Sequence, residues 1–150
     1  MSDDIARIKQ QARERGEARK LPYAGAVLPT EAHALLQAGA ATLVDVRTDA
    51  ERHYVGCVPG TDGIEWNTYP EGTRNPTFLE ELGKAVPKET PVMFLCRSGV
   101  RSHGAAEAAA RAGWKEAYNV LEGFEGDKDN DGHRGKLGGW RKAGLPWIQN

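Results

Sequence analysis

A chain of 150 residues has the length of one ordinary domain, enough to bury a core without disulfide support. Its 39% hydrophobic and 27% charged content is that of a soluble globular protein, and a net charge of −1 argues for neither nucleic acid nor an acidic membrane surface as partner. No apolar run approaches the ~20 residues needed to cross a bilayer, and the Met1-Ser-Asp-Asp-Ile5 start lacks the basic and apolar regions of a signal peptide.

Two cysteines make no disulfide framework. A cytoplasmic location with reduced thiols is the simplest expectation, and a thiol there is free to be reactive.

Residues 1–20 are mostly polar, with Ile5, Ile8 and Ala12 on one helical stripe and acids leading, bases closing. They read as a peripheral helix or a frayed tail, and the main domain as 21–150. Val27-Leu28 ends a strand, and Pro29-Thr30 opens a helix to about Gln37 with Thr30 as N-cap. Thr42-Leu-Val-Asp-Val46 is a run suited to a strand buried on both faces. Thr48-Asp-Ala-Glu51 is a capping box that starts a short helix. Val58-Pro-Gly60 makes a turn, and Gly63 to Trp66 a brief strand.

Asn75-Pro76 predicts an N-cap with proline at the first helical position, the helix ending near Leu82. Pro91 to Cys96 is the second strongly apolar strand. Ser102 to Ala112 is alanine-rich and helical, stopped by Gly113, and Ala117 to Val120 is a further strand. Residues 122–139, rich in Gly, Asp, Lys and Asn, read as an inserted surface loop with little to bury. Trp140 to Trp147 returns as an apolar clasp. Strands alternating with helices predict an α/β, three-layer fold, its mostly parallel sheet covered on both faces by helices.

The chemistry converges on Leu95-Cys-Arg-Ser-Gly-Val-Arg-Ser102. A buried strand ends at Cys96, where ligands sit in open parallel sheets. The loop and the first turn of the next helix present unpaired backbone N–H groups, an anion cradle. Gly99 permits a turn that a side chain would obstruct. Arg97 and Arg101 add permanent positive charge, and such surroundings favour the nucleophilic thiolate. The contrary reading is a buried cysteine acting as a small hydrophobe, with the arginines solvating the surface.

The loop Cys96-Arg-Ser-Gly-Val-Arg101-Ser102 resembles the Cys-x-x-Gly-x-Arg-Ser active-site loop of the rhodanese family. Leu43 to Arg47, the Thr48 helix start, the Val58-Pro-Gly60 turn, Leu121-Glu-Gly123, Trp140 and Gly144-Leu-Pro146 match that family in order, over roughly residues 22–147. The chain departs from it at His53 and Cys57, where the family usually has an aromatic residue and a histidine. The resemblance implies a single-domain sulfurtransferase. Cys96 attacks the outer sulfur of thiosulfate or a related persulfide donor, and the Cys96 persulfide passes its sulfur to cyanide or a thiol, a protein thiol included. No cofactor, metal, nucleic acid or membrane partner is implied.

In that chemistry Cys96 is the sulfur carrier. Arg97, Ser98, Gly99, Val100, Arg101 and Ser102 form the substrate cradle. Arg101 either binds the anion or points inward as a brace, and Ser102 caps the helix and donates to the sulfur. Asp45, a carboxylate in an otherwise apolar strand, either fixes the loop geometry or is a strand-end surface residue, and Arg47 stands at the rim.

Three rival readings follow from the same residues. A cysteine-dependent phosphatase or arsenate reductase on this fold carries a loop one residue longer than the four residues between Cys96 and Arg101. A noncatalytic interaction module typically lacks the cysteine. Asp127 to Gly132 matches half of a calcium loop, but the twelfth position is Gly138 instead of glutamate, which favours a solvated turn. Cys57 reads first as a small residue before a turn, and second as a resolving thiol for the persulfide.

Overall fold

A computed structural model describes residues 2–149. Its elements run α1 (Ser2–Ala18), β1 (Gly25–Val27), α2 (Pro29–Gln37), β2 (Thr42–Asp45), α3 (Asp49–Tyr54), β3 (Asp62–Gly63), α4 (Phe78–Ala85), β4 (Val92–Leu95), α5 (Val100–Ala112) and β5 (Ala117–Val120). The strands form one sheet in the order β1-β5-β4-β2-β3, every pairing parallel. This is the α/β architecture that the alternating pattern predicts.

Strand alternation divides the core in two. Val44, Val92, Phe94 and Ala117 face one layer, filled by Phe78 and Leu82 of α4 and Ala105 and Ala109 of α5. Leu43, Met93, Leu95, Tyr118 and Val120 face the other, where α1 and α2 bring Ile8, Ala12, Ala32 and Leu35. Helix α1 is thus part of the core. Ala12 is fully buried, and a Cβ added at Gly25 would come 2.2 Å from the Ala12 carbonyl oxygen.

Several boundaries differ from the sequence reading. Helix α2 begins at Pro29 with Leu28 in the N-cap position, not Thr30. Its cap comes from Glu31, whose carboxylate accepts from the Leu28 N–H at 2.8 Å while pairing with Arg15 of α1 at 2.6 Å. Helix α4 starts at Phe78, because Asn75 turns its side chain to accept from the Thr77 N–H and hydroxyl. The 122–139 segment lacks regular structure, yet it buries Phe124 completely in the second layer, a contribution that its polar composition conceals.

Candidate active site

Cys96 follows directly on β4, and its loop is buttressed from one side by residues 121–126. The Phe124 N–H donates to the Cys96 carbonyl at 2.8 Å, and those of Glu125 and Gly126 to the Arg97 carbonyl at 3.0 and 3.2 Å. Gly123, at φ +65°, makes this approach possible, since a Cβ there would sit 2.5 Å from the Arg97 carbonyl carbon. Gly99 (φ +106°) occupies the N-cap position of α5 and aims its N–H at Cys96 Sγ, 3.0 Å away. Among the described residues this is the loop amide within hydrogen-bond distance of the sulfur. Helix α5 starts two residues before the predicted position, so Ser102 lies inside its first turn instead of capping it.

Ser102 Oγ is 3.2 Å from Cys96 Sγ. Asn119 of β5 donates its Nδ2–H to the Gly99 carbonyl at 3.1 Å, which leaves its Oδ1 to accept the Ser102 hydroxyl at 2.5 Å. With the serine proton so committed, a protonated Cys96 donates to Ser102 Oγ. Once the sulfur ionises, that hydroxyl has an anion to turn to. Asn119 therefore ties β5, the loop and the sulfur together. It was missed in the sequence, although a lone amide in the buried run Ala117–Val120 is the same kind of signal as Asp45 in β2.

Arg101 takes the inward of its two expected roles. Its guanidinium grips Glu51 of α3 through two bonds of 2.7 and 2.8 Å. Glu51 also accepts from the Thr48 N–H and hydroxyl, both at 3.1 Å, within the predicted capping box. Burial raises the Glu51 carboxyl, but Arg101 and Thr48 more than offset this and hold it at about 2. A depressed carboxylate stabilises the fold above its ordinary value of 4.5, and that contribution is lost as pH falls through about 2. Glu51→Gln is therefore expected to lower unfolding free energy by about 2 kcal/mol at pH 7. In urea titrations its difference from the parent should shrink from pH 4.5 downward; a difference independent of pH would show that the pair is not ionic in origin.

Asp45 and Arg47 form a buried charged pair. Both are fully buried, so Arg47 is not at the rim. Asp45 accepts from Arg47 Nε and Nη2 at 3.0 and 2.7 Å, and Arg52 Nε lies 3.5 Å away. Arg47 also donates to the Gly56 carbonyl at 2.8 Å and lies 4.2 Å over the Phe124 ring. A charged pair with a bidentate bond and an aromatic lid is stable inside the core, away from solvent. The pair is tied to the 52–56 turn and to Phe124, whose N–H donates to the Cys96 carbonyl, and the Asp45 charge also acts on Arg101 of the cysteine loop.

An open cleft of about 590 Å³ lies beside the loop, lined among others by Tyr54, Tyr69, Arg97, Arg101 and Arg134. Cys96 is 1% exposed and is not among the lining residues. Arg97 is exposed; Ser98 and Gly99 are half-buried, and the Val100 side chain is 77% exposed to solvent. Cys57 is half-buried and free, and its backbone bridges to Ile148 by two bonds of 2.8 Å. His103, in the first turn of α5, is held by Tyr23, its Nδ1 2.7 Å from the tyrosine oxygen. In the insertion, Asp129 accepts from the Asp131 and His133 N–H groups at 2.9 Å, a self-contained turn. No group of three or more His, Cys, Asp or Glu among the described residues is arranged to hold a metal ion.

The Rhodanese-like domain family model matches residues 28–130. A crystal structure of Rv0390 from M. tuberculosis is similar over 85% of this chain and 99% of that one, at 49% identity and a TM-score of 0.77. The uncharacterized protein RP600 of Rickettsia prowazekii is 36% identical over 71% of this chain and 82% of its own length. The thiosulfate sulfurtransferase GlpE of Tolumonas auensis is 32% identical over 64% of this chain and 80% of its own length. With a parallel sheet, the Cys96 loop at the end of its central strand and this family match, the chain belongs to the rhodanese-like domain family.

Proposed function

We propose that the protein is a thiosulfate or persulfide sulfurtransferase in which Cys96 carries the moving sulfur. The observation that carries this reading is the placement of Cys96 Sγ at the end of β4, with the Gly99 N–H and the Ser102 hydroxyl on it. The thiolate attacks the outer sulfur of thiosulfate. The Sγ–S bond forms, the S–S bond of the donor breaks, and sulfite departs with the electron pair, leaving a Cys96 persulfide anion. A thiol or cyanide then removes the outer sulfur and restores the thiolate.

Sulfite is weakly basic, so its departure needs no proton donor. The fixed Gly99 N–H dipole and the Ser102 hydroxyl, once turned from Asn119 to the anion, serve both the thiolate and the persulfide, because both carry their charge on sulfur beside the same loop. With Cys96 1% exposed, donor entry displaces side chains at the cleft wall, and exposed Arg97 is the most readily moved. The two free cysteines suit a reducing compartment such as the cytoplasm. No helix among the described residues is long and apolar enough to cross a membrane.

The test is intact-mass spectrometry after incubation with thiosulfate. A gain of about 32 Da, one sulfur atom, that is lost on adding cyanide with release of thiocyanate is the expected result. An unchanged mass, with no thiocyanate formed in turnover assays, would remove the activity.

A further inference from the structure

We propose that the 122–139 insertion builds a carboxylate subsite, formed by Arg134 together with Arg97, that selects an extended organic persulfide as sulfur donor. This rests on the sulfurtransferase reading and names the substrate class of its cleft.

The first support is charge. Five charged side chains of both signs line the cleft: Arg97, Arg101, Arg134, Glu51 and Glu125. Arg101 and Glu51 neutralise each other through their paired bonds. Glu125 lies 3.8 Å from Arg141, a cation outside the lining. The exposed Arg97 guanidinium has no ion-pair or hydrogen-bond partner among the described residues. Arg134 donates Nη1 to the Gly126 carbonyl at 2.8 Å, which fixes its guanidinium without cancelling its charge. Two uncompensated cations, Arg97 of the cysteine loop and Arg134 of the insertion, therefore face one cleft.

The second support is how Arg134 is held. The Gly126 N–H donates to the Arg97 carbonyl, so the group that anchors Arg134 is one peptide away from the cysteine loop. On either side of Arg134, the His133 N–H is bound by Asp129 and the Gly135 N–H by the Glu125 carbonyl, both within 2.9 Å. A long cationic side chain anchored at its head and on both flanks loses less entropy on meeting an anion. Arg134 also lies beyond the segment that the family model matches, so this half of the subsite comes from the chain's insertion while Arg97 comes from the matched segment.

The third support is size and surface. A cleft of about 590 Å³ falls in the range that encloses organic ligands, far beyond an inorganic dianion. Tyr54 and Tyr69 stand in its lining 77% and 68% exposed, two aromatic faces available to an organic body. The ligand that satisfies all three is a small persulfide R–S–S⁻ whose organic part carries a free carboxylate remote from the sulfur. Cys96 thiolate attacks its outer sulfur, the Sγ–S bond forms, and the S–S bond breaks with its electron pair leaving as R–S⁻. The charge total is unchanged and no oxidant is consumed.

The experiment compares three donors, thiosulfate, glutathione persulfide and the dialkyl ester of glutathione persulfide, by the rate of Cys96 mass gain. Charge-assisted hydrogen bonds of about 1.5 kcal/mol correspond to roughly tenfold, so the acid should load about tenfold faster than its ester at subsaturating concentration. In Arg134→Gln that preference should fall to within about twofold, and Arg134→Lys should restore part of it. If thiosulfate loads Cys96 but acid and ester load alike, or Arg134→Gln keeps the full preference, the subsite is refuted while sulfur transfer stands. Loading from no donor would overturn both.

Discussion

Cys96→Ser is expected to abolish sulfur transfer while leaving the fold intact. The substitution keeps a small side chain able to accept from the Gly99 N–H, now 3.0 Å from Sγ, and disturbs no packing beyond the sulfur's own volume. Thermal unfolding should therefore shift by no more than about 3 °C. A neutral hydroxyl lacks the thiolate's nucleophilicity and cannot hold a persulfide, so thiocyanate formation should fall by about three orders of magnitude or more. The variant keeps Cys57, whose backbone is pinned to Ile148. A residual gain of one sulfur in the variant would move the carrier role to Cys57 and sink the assignment of Cys96.

Arg47→Met should produce the largest loss of stability. It removes a guanidinium that makes both a bidentate bond to Asp45 and a bond to the Gly56 carbonyl, at a site with no solvent exposure. Breaking a buried pair from one side costs about 3–5 kcal/mol, because the remaining charge stays desolvated. Arg52, 3.5 Å from Asp45, compensates in part and places the expectation near the lower end, about 3 kcal/mol. Chemical denaturation measures this directly. The double variant Asp45→Leu, Arg47→Met should recover part of the loss, since no carboxylate is then stranded in the core, while Arg52 gives up its ion pair and keeps its bond to the Thr61 carbonyl. The Michaelis constant for thiosulfate should stay unchanged in folded Arg47→Met. A rise of tenfold with stability preserved would return Arg47 to the substrate rim.

How much of this was legible beforehand depends on the distance over which each residue acts. The apolar runs Thr42–Val46 and Pro91–Cys96 announce buried parallel strands, and the loop between Cys96 and Ser102 announces a site, because in each case the signal lies within one short stretch. Thr48 and Glu51 were readable as a cap for the same reason. The second task of Glu51, receiving Arg101 from fifty residues away, depends on α3 and α5 meeting in space, and no local pattern encodes that. Arg47 misled because an arginine after a strand ordinarily reaches solvent; here the carboxylate two residues earlier turns it inward under Phe124. Phe124 itself was hidden by its polar neighbours. Arg134 stood in a loop whose composition suggested only hydration.

The close seating of α1 on β1 bears on where independent folding begins. Both elements precede residue 28, where the family match starts, yet Ala12, Val27 and Tyr118 share one dry layer, and β1 zips along the outer side of β5. A polypeptide trimmed to the matched segment would leave β5 as a raw, unpaired border beside a wet aliphatic face, the combination that recruits further strands into aggregates. A version of this domain that keeps its sheet edge covered is therefore expected to extend upstream of residue 28.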